Sequence, residues 1–322
     1  MRQLLNVFAL LLSKFKANAF KKLIPLTVLN KIKVANYCFL LYYDIFFREE
    51  KRTFPGLISN LALPRKRVLF YPHIPWESSM VIYICIQRRY RVTDSISRRP
   101  DLIMKWDPAT YAPSSLIPEK LKALSQVINY ACTDISKSHA AEIFKAVFGY
   151  ELTVNPLVYR GKCVQKSNIN AQHDGQIIEC PIDQLQPDFV YQVLIDNEAG
   201  DGLVLDMRVP VFGDFLPFIL FKYQPAIGRF HAGSVRQQIV ETSDAISHQE
   251  QGKILEFCRL MGLDYGELDV LRDRNDGRIY IVDVNPTPHG YPVHYAIHLD
   301  PNMRQVVQRQ AEAFSMVFME GA

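Results

Sequence analysis

Two carboxylates and an asparagine within residues 265–288 have the residue types and spacing of a site for a hard metal ion. The segment reads YGELDVLRDRNDGRIYIVDVNPTP and alternates as a β-hairpin does, with a turn signal at Asn275-Asp276-Gly277. The alternation predicts that Asp269 faces Asp283 across the hairpin and that Asn285 shares the face of Asp283. Facing carboxylates repel each other unless a cation lies between them. Carboxylate and amide oxygens suit Mg²⁺, although an ordinary solvent-facing hairpin with incidental charges fits the same spacing.

Basic residues upstream of the hairpin could bind phosphate. Lys166 ends a predicted strand, Arg208 follows Asp206 by two positions on another, and Lys222 ends the strand after that. An arginine can grip phosphate or carboxylate through two parallel hydrogen bonds, whereas a lysine acts as a point charge. The ordinary alternatives stay open, because most lysines and arginines in strands are simply solvated or belong to surface ion pairs.

The elements that must position these side chains follow one another as helix, antiparallel strands, helix and hairpin. Strands are predicted at 151–158, 162–167, 176–180, 189–195, 204–212 and 215–223. Helices are predicted at 118–130 and 138–148, and a third ends at Gly262 just before the hairpin. This order indicates an α+β fold and not a doubly wound sheet.

A small parallel α/β unit is predicted before these elements. A short strand at 68–71, a loop at 72–79, a helix at 79–89 and a strand at 102–106 follow one another. Because ligands usually bind at the carboxyl ends of parallel strands, we expect substrate contacts in this unit. The candidates are the loop at 72–79, Lys105-Trp106-Asp107 and, further along the chain, residues 229–234.

The charge of the chain is unevenly distributed. The 322 residues are 48% hydrophobic and 22% charged, which is typical of a globular protein, and the net charge is +4. Residues 1–66 contain 12 Lys and Arg against 3 Asp and Glu, whereas the rest contains 25 against 30. The acidic body argues against a nucleic-acid partner. Apolar residues at helical spacing in residues 1–55 predict either two helices packed on the body or a basic amphipathic arm on a membrane surface or an acidic partner.

Several classes of protein are not expected from the sequence. Six cysteines are widely spaced without a Cys-x-x-Cys pair, which argues against a zinc site or a disulfide framework and favours a reducing cytoplasm. The apolar stretch at 4–12 is nine residues long and is followed by lysines, so neither a signal peptide nor a membrane span is predicted. The sequence has no Walker, GxGxxG, HExxH or GxSxG motif.

The order of lysine, strand, D-x-R step, basic strand end, helix and acidic hairpin resembles the ATP-grasp family. This family includes D-alanine–D-alanine ligase, glutathione synthetase and the ligases that modify ribosomal protein tails. The resemblance covers about residues 67–290. It is most specific at the hairpin, where an acidic residue on one strand precedes DGR-x-Y-x-x-(D/E)-x-N-x-x-P on the next.

The resemblance implies a role for each candidate residue. Mg²⁺, or Mn²⁺ as an alternative ion, would be held by Asp269, Asp283 and Asn285. Arg208 would face the γ-phosphate as a catalytic residue, with Lys222 as its basic neighbour. The residues implied to bind ATP are, in chain order, Lys137, Lys166, Gln192, Val193, Leu194 and Asp196. Among them the two lysines would contact phosphates, the main chain of 192–195 the adenine, and the aspartate the ribose.

The resemblance also implies the domain organisation and the activity. An N-terminal helical arm (1–60) would precede a small pre-ATP-grasp α/β domain (61–130) and an ATP-grasp domain (131–322). The last would divide into a nucleotide-lid part (131–196) and a metal and catalytic part (197–322). The implied activity is an Mg-ATP-dependent ligase that activates a substrate carboxylate as an acylphosphate and joins it to an amine or similar nucleophile.

Two alternatives to this activity stay open. One is a small-molecule or glycan kinase on the same fold, and the other is a nucleotide-binding protein without catalysis. We expect a cytoplasmic protein, with peripheral contact at the inner membrane surface or with an acidic partner if residues 1–52 form the basic arm.

Three features depart from the family pattern. The loop after Lys166, residues 167–175, has one glycine where relatives are glycine-rich. The second metal carboxylate is Asp283, where many relatives have Glu, so its reach is one methylene shorter. Glu267 stands where D-alanine–D-alanine ligase has Arg, and the sequence gives it no role.

Overall fold

Three β-sheets organise the part of the chain that the structure describes. The computed structural model describes residues 25–47, 66–96, 99–230, 234–290 and 301–320. One sheet is parallel and the other two are antiparallel, and helices alternate with the strands along the chain. The predicted α+β class is confirmed.

A helix and a parallel sheet form the N-terminal part of the described chain. Helix α1 is Leu26–Phe47, and the sheet has the strands β1 Arg67–Pro72, β2 Arg91–Thr93, β3 Leu102–Trp106 and β4 Val127–Ile128. Their spatial order is β2-β1-β3-β4, and every pair is parallel. Helix α2, Met80–Gln87, connects β1 to β2. The predicted parallel α/β unit is confirmed, and β2 and β4 extend it.

The helix predicted over 118–130 is wrong. The structure has one helical turn there, α3 Glu119–Lys122, and the chain then continues as strand β4. Val127 pairs with Ile103 of β3 and is buried. Pairing with a strand more than twenty residues earlier outweighs the local helical spacing, which is a weak preference.

Helix α4, Lys137–Phe148, leads into a three-stranded antiparallel sheet. The hydroxyl of Ser136 caps the helix by accepting a 3.3 Å hydrogen bond from the main-chain N of His139. Gly149 ends it in the left-handed conformation, with φ +83°. The sheet follows with the strands β5 Gly161–Ser167, β6 Gln176–Cys180 and β7 Phe189–Val193, in the spatial order β6-β5-β7.

The strand predicted over 151–158 is also wrong. The segment is irregular and touches β7 at one bridge, between Thr153 and Gln192. Pro156 has no N–H to donate to a sheet, and this interrupts the run of apolar residues that suggested a strand.

A six-stranded antiparallel sheet follows and carries most of the predicted site. Its strands are β8 Glu198–Gly200, β9 Leu203–Phe212, β10 Ile219–Pro225, β11 Arg236–Val240, β12 Tyr265–Arg272 and β13 Ile279–Asn285. Their order is β11-β10-β9-β12-β13, with β8 paired to β9. Helices α5 Thr242–Ala245 and α6 His248–Met261 follow β11 and precede β12 along the chain. The strand predicted at 215–223 begins four residues later, and β8 and β11 were not predicted.

Gly262 ends α6, as predicted, and brings the chain close to its neighbour. Its φ is +65°, which an L side chain rarely adopts. A Cβ at this position would lie 2.4 Å from the main-chain carbon of Ala131. Both the turn and the close approach therefore require glycine, and β12 starts immediately afterwards.

The C-terminal helix packs on the N-terminal sheet. Helix α7, Pro301–Phe314, continues into a π-helical turn, Ser315–Glu320. The ring of Phe314 is fully buried and lies 6.2 Å from that of Tyr90 and 6.0 Å from that of Tyr265. Residues near both ends of the described chain thus share one hydrophobic core. The predicted domain boundaries stay predictions.

Helix α1 is anchored on the body by polar side chains. Lys33 Nζ donates a 2.7 Å hydrogen bond to the carbonyl of Ile74, and Asn30 Nδ2 donates one of 2.9 Å to the carbonyl of Pro72. This part of the basic N-terminal region therefore packs on the body, while residues 1–24 and 48–65 lie outside the described residues. None of the described helices is both long and apolar enough to cross a bilayer.

Candidate active site

A cleft with a volume of about 800 Å³ lies against the six-stranded sheet. Its walls come from that sheet, from β5 and the loop at 168–175, and from helix α7. Seven predicted site residues line it, namely Lys137, Lys166, Arg208, Lys222, Asp269, Asp283 and Asn285. Residues 116 positions apart in sequence, such as Lys166 and Val282, meet at its surface.

The acidic wall of the cleft has the predicted register. Asp269 of β12 lies directly opposite Asp283 of β13, and a β-bulge follows between Asp269 and Val270. Bulges re-aim side chains and often adjoin functional sites. Burial raises the pKa of Asp283 above its usual value, and the neighbouring carboxylate of Asp269 raises it further. The two carboxylates therefore do repel each other, as the alternation predicted.

These residues fit a divalent cation. A cation between the two carboxylates would offset the burial that raises the pKa of Asp283 and the repulsion from Asp269 that adds to it. Asn285 Oδ1 accepts a 3.0 Å hydrogen bond from the main-chain N of Thr287 and a long one, 3.5 Å, from the Thr287 hydroxyl, which can rotate away and free a lone pair for a cation. Within the described residues, no group of three or more His, Cys, Asp and Glu side chains could hold a metal ion. A cation here would therefore also need oxygens from Asn285, water or a ligand phosphate.

Two lysines flank the carboxylate of Asp283. Lys137, the first residue of α4, has its Nζ 3.8 Å from Asp283 Oδ1. Lys166, on β5, donates a 2.9 Å hydrogen bond from Nζ to the carbonyl of Val282. Burial lowers the pKa of Lys166 to about 8, although Asp283 acts in the opposite direction. The three-stranded sheet and α4 thus each place one cation over the acidic hairpin.

Arg208 is held by two carboxylates of β12. Its Nη1 donates a 3.0 Å hydrogen bond to Glu267 Oε2, and its Nε lies 2.6 Å from Asp269 Oδ1. Burial acts to lower the pKa of Arg208, but Asp269 and Glu267 outweigh it and raise the pKa. The guanidinium is therefore always charged and fixed at the floor of the cleft.

Lys222 and Asp206 face each other on β10 and β9. Burial lowers the pKa of Lys222, and the nearby Arg208 lowers it further. Burial raises the pKa of Asp206 to about 6, and its carboxylate accepts a 2.9 Å hydrogen bond from Asn197 Nδ2. Three charged side chains thus share this part of the floor within a partly desolvated site.

The four residues predicted to bind adenine and ribose lie elsewhere. Among the described residues, those that line the cleft do not include Gln192, Val193, Leu194 or Asp196. Gln192 is buried, and Val193 donates its main-chain N–H to the carbonyl of Leu152 at 2.9 Å. The main-chain carbonyl of Asp196 accepts a 2.7 Å hydrogen bond from Arg274 N. Their nucleotide contacts stay predictions.

Lys105 and Trp106, suggested as substrate contacts, are structural residues. Lys105 is buried, and its Nζ donates to the carbonyls of Ala112 at 2.8 Å and Cys132 at 2.6 Å. The indole of Trp106 packs edge-on against Phe70, with ring centroids 5.8 Å apart. The lysine therefore satisfies main-chain groups between β3 and the start of α4.

Two buried polar residues beside the cleft were missed or left without a role. Glu267 has no role in the sequence, and Gln310 lies on helix α7, which was not predicted. Met303, Val306, Gln310 and Phe314 recur at helical spacing after Pro301, which is the signal that could have revealed this helix. Residues 229–234 were predicted to contact substrate, and Arg229 lines the cleft. Its Nη2 donates a 2.7 Å hydrogen bond to Asn197 Oδ1.

Comparisons with known proteins find similarity in structure but not in sequence. No family model matches the chain, and no curated protein matches it. The ATP-grasp ligase PsnB, solved with a phosphomimetic variant of its minimal precursor, Mg and ADP, superposes with a TM-score of 0.52. It is 14% identical, and the match covers 78% of this chain and 99% of that one.

Two further solved structures match less closely. D-cycloserine synthetase DcsG is 11% identical, with a TM-score of 0.46 and coverage of 77% of this chain and 99% of its own. D-alanine–D-alanine ligase from Bacillus anthracis is 13% identical, with a TM-score of 0.46 and coverage of 81% and 100%. The assignment rests on the PsnB match, because its TM-score exceeds 0.5 and it covers 78% of this chain. The chain has the ATP-grasp fold.

Proposed function

We propose that the protein is an Mg-ATP-dependent ligase that activates a substrate carboxylate as an acylphosphate and joins it to an amine or similar nucleophile. The observation that carries the proposal is one cleft in which buried cations face a pair of opposed carboxylates. Transfer of a γ-phosphoryl group depends on positioning and charge stabilisation, with little covalent work by the protein. The PsnB structure that shares the fold was solved with Mg and ADP, which supports a nucleotide ligand.

The charges divide into two groups with different roles. Asp269, Asp283 and Asn285 would hold Mg²⁺, which supplies charge neutralisation to the ATP phosphates. Lys137 and Lys166 stand beside this hairpin and would contact the α- and β-phosphates as point charges.

Arg208 and Lys222 lie deeper on the sheet. Their neighbouring positions on β9 and β10 suit the charge that develops on the transferred phosphoryl group. The substrate carboxylate would attack the γ-phosphoryl group and release ADP, which gives an acylphosphate. An amine would then attack the acyl carbon, lose a proton and release phosphate. Arg208 would orient the reacting group through two parallel hydrogen bonds.

The nucleoside would lie along the edge of the three-stranded sheet. Strand β7 pairs with β5, and Gln192 lies opposite Val164, two positions before Lys166; this pairing supports a nucleoside beside Gln192, Val193 and Leu194. Because the N–H of Val193 is bonded to Leu152, we propose that Leu194 supplies the main-chain contact to adenine. Asp196 would then contact the ribose.

The metal assignment is tested with the double variant Asp283→Ala and Asn285→Ala. Mg-ATP should raise the melting temperature of the wild type, since a ligand that binds only the folded state stabilises it. The double variant should lose this increase. The matched control is Asp276→Ala with Asn275→Ala, the same residue types in the exposed turn of the same hairpin, and it should keep the increase. A double variant that still responds to Mg-ATP like the wild type would refute the assignment.

Product analysis separates the ligase from its alternatives. The protein is incubated with Mg-ATP and pooled cell metabolites, and products are identified by mass spectrometry. A condensed product with free phosphate supports a ligase. A stable phosphorylated product would instead indicate a kinase, and binding of Mg-ATP without turnover would indicate a non-catalytic nucleotide-binding protein.

A further inference from the structure

Glu267 is a buried carboxylate whose two oxygens are both occupied. Its side chain lines the cleft, and the residue is 5% exposed. Oε2 accepts a 3.0 Å hydrogen bond from Arg208 Nη1, and Oε1 accepts a 3.2 Å hydrogen bond from Gln310 Nε2. Gln310 is itself 2% exposed and belongs to helix α7, 43 residues later in the chain.

Such an arrangement is costly unless every partner is in place. Removing a charge from water is strongly unfavourable, and only a close counter-charge with further hydrogen bonds offsets this. Here the counter-charge is Arg208 and the further bond comes from Gln310. The amide of Gln310 therefore fixes one oxygen of Glu267 and leaves the other directed at the guanidinium.

Asp269, the second carboxylate beside Arg208, would not hold the guanidinium once a cation is bound. Asp269 lies 2.6 Å from Arg208 Nε, but it also faces Asp283 across the hairpin and is a proposed metal ligand. A bound cation would compete with Arg208 for the carboxylate of Asp269. Glu267 lies outside that competition, because its Oε1 is turned toward α7 and its Oε2 toward Arg208.

We propose that Glu267 and Gln310 are positioning residues, through which the C-terminal helix α7 holds Arg208 in the orientation that binds the γ-phosphate. This inference rests on the proposed function, in which Arg208 contacts that group. The relay runs from Gln310 Nε2 to the Glu267 carboxylate and from there to Arg208 Nη1. It assigns a role to the acidic residue that stands where a relative has arginine.

A purely structural role makes a different prediction. If the buried pair only fastened α7 to the sheet, its loss would lower stability and weaken every nucleotide alike. If the relay orients Arg208, its loss should weaken ligands that carry a γ-phosphate and spare those that lack one. The comparison of Mg-AMPPNP with Mg-ADP therefore isolates the positioning effect.

The experiment measures the Kd of both nucleotides by calorimetry in excess Mg²⁺. Gln310→Leu should raise the Kd for Mg-AMPPNP about tenfold, the equivalent of one hydrogen bond to a charged group, and change that for Mg-ADP less than about twofold. Gln308→Leu is the matched control, because Gln308 is exposed on the same helix. It should leave both constants unchanged. If Gln310→Leu does not fold, Gln310→Asn retains the amide with one methylene less and should show a smaller selective loss.

A double-mutant cycle tests whether Gln310 acts through Glu267. Glu267→Gln should also weaken Mg-AMPPNP selectively, and adding Gln310→Leu should then cause no further loss. Additive losses, or equal losses for the two nucleotides, would overturn the relay while leaving the proposed function intact. A wild type that does not prefer Mg-AMPPNP over Mg-ADP would overturn it as well. A wild type that binds neither nucleotide would instead refute the proposed function itself.

Discussion

Asn129 and Asp264 are joined by reciprocal hydrogen bonds between the N-terminal sheet and the sheet that bears the site. The main-chain N of Asn129 donates to Asp264 Oδ2 at 2.6 Å, and the main-chain N of Asp264 donates to Asn129 Oδ1 at 2.9 Å. Asn129 also accepts from the N of Tyr265 and donates to its carbonyl, both at 2.8 Å. Tyr265 begins β12, so the contact fixes the strand that carries Glu267 and Asp269.

Replacing Asn129 should therefore destabilise the whole molecule. Asn129→Ala removes three side-chain hydrogen bonds at a residue that is 1% exposed, leaving main-chain groups of 264 and 265 without partners. It also places alanine at φ +60°, a conformation that asparagine tolerates better. We expect the free energy of unfolding in urea to fall by about 3 kcal/mol or more. Asn275→Ala, in an exposed turn, is the control and should change it by less than about 0.5 kcal/mol.

The hairpin could be predicted from the sequence because its contacts are local. A turn signal and strict alternation set the pairing of the flanking strands, so Asp269 and Asp283 had to face each other. The bulge after Asp269 leaves no comparable trace in the sequence. The two helix ends at Gly149 and Gly262 were predictable for the same reason, since a left-handed residue is a local requirement.

Apart from the strand at 151–158, which Pro156 interrupts locally, the main errors and omissions concern contacts between distant parts of the chain. Residues 118–130 have helical spacing, but Val127 joins a strand through pairing with Ile103. The relay from Gln310 to Glu267 joins residues 43 positions apart, and neither has a local signal that names its partner. The cations of the cleft were identified by their order along the chain, while their convergence depends on how three sheets pack.

Lys166 should be required for nucleotide binding in general. Because its Nζ lies over the acidic hairpin at Val282, we expect it to contact the α- and β-phosphates. Lys166→Met should raise the Kd of Mg-ADP and Mg-AMPPNP together by about tenfold or more, as for loss of a charge-assisted hydrogen bond. Lys162→Met, on the exposed part of the same strand, should change neither. Equal affinities in the Lys166 variant and the wild type would contradict the phosphate role.

Stability at low pH should depend on Glu250. Burial acts to raise its pKa, but hydrogen bonds from Arg272 and Ser247 outweigh this and lower the pKa below 4.5. The carboxylate also completes a capping box at the start of α6, with Ser247. Because the pKa of Glu250 is lower in the folded than in the unfolded protein, its carboxylate stabilises the folded state at pH values above the unfolded pKa. This contribution is lost as the pH falls through the folded pKa.

The variant Glu250→Gln isolates this contribution. At pH 7 its free energy of unfolding should be lower than that of the wild type by about 1 kcal/mol. The difference should shrink as the pH falls from about 4.5, near the unfolded pKa, through the lower folded pKa, below which the wild-type carboxyl is protonated in both states. Chemical denaturation at a series of pH values measures both. Glu256→Gln, exposed on the same helix, should show no such difference, and a gap that stays constant down to low pH would exclude the ion pair as its source.

The role of the basic N-terminal segment is best tested by a deletion that ends before helix α1. Asn30 and Lys33 bind main-chain carbonyls of the body, so a deletion that includes them would also disturb folding. Residues 1–24 contain five Lys and Arg and no Asp or Glu, and we propose that this charge supports binding to an anionic membrane surface.

Deleting residues 1–24 should reduce sedimentation with vesicles that contain anionic lipid and leave the melting temperature within a few degrees. Binding of the full chain should weaken as salt is added, because salt screens surface charges, and neutral vesicles should bind neither form. Unchanged sedimentation after the deletion would exclude this role and leave an acidic protein partner as the remaining explanation for the charge.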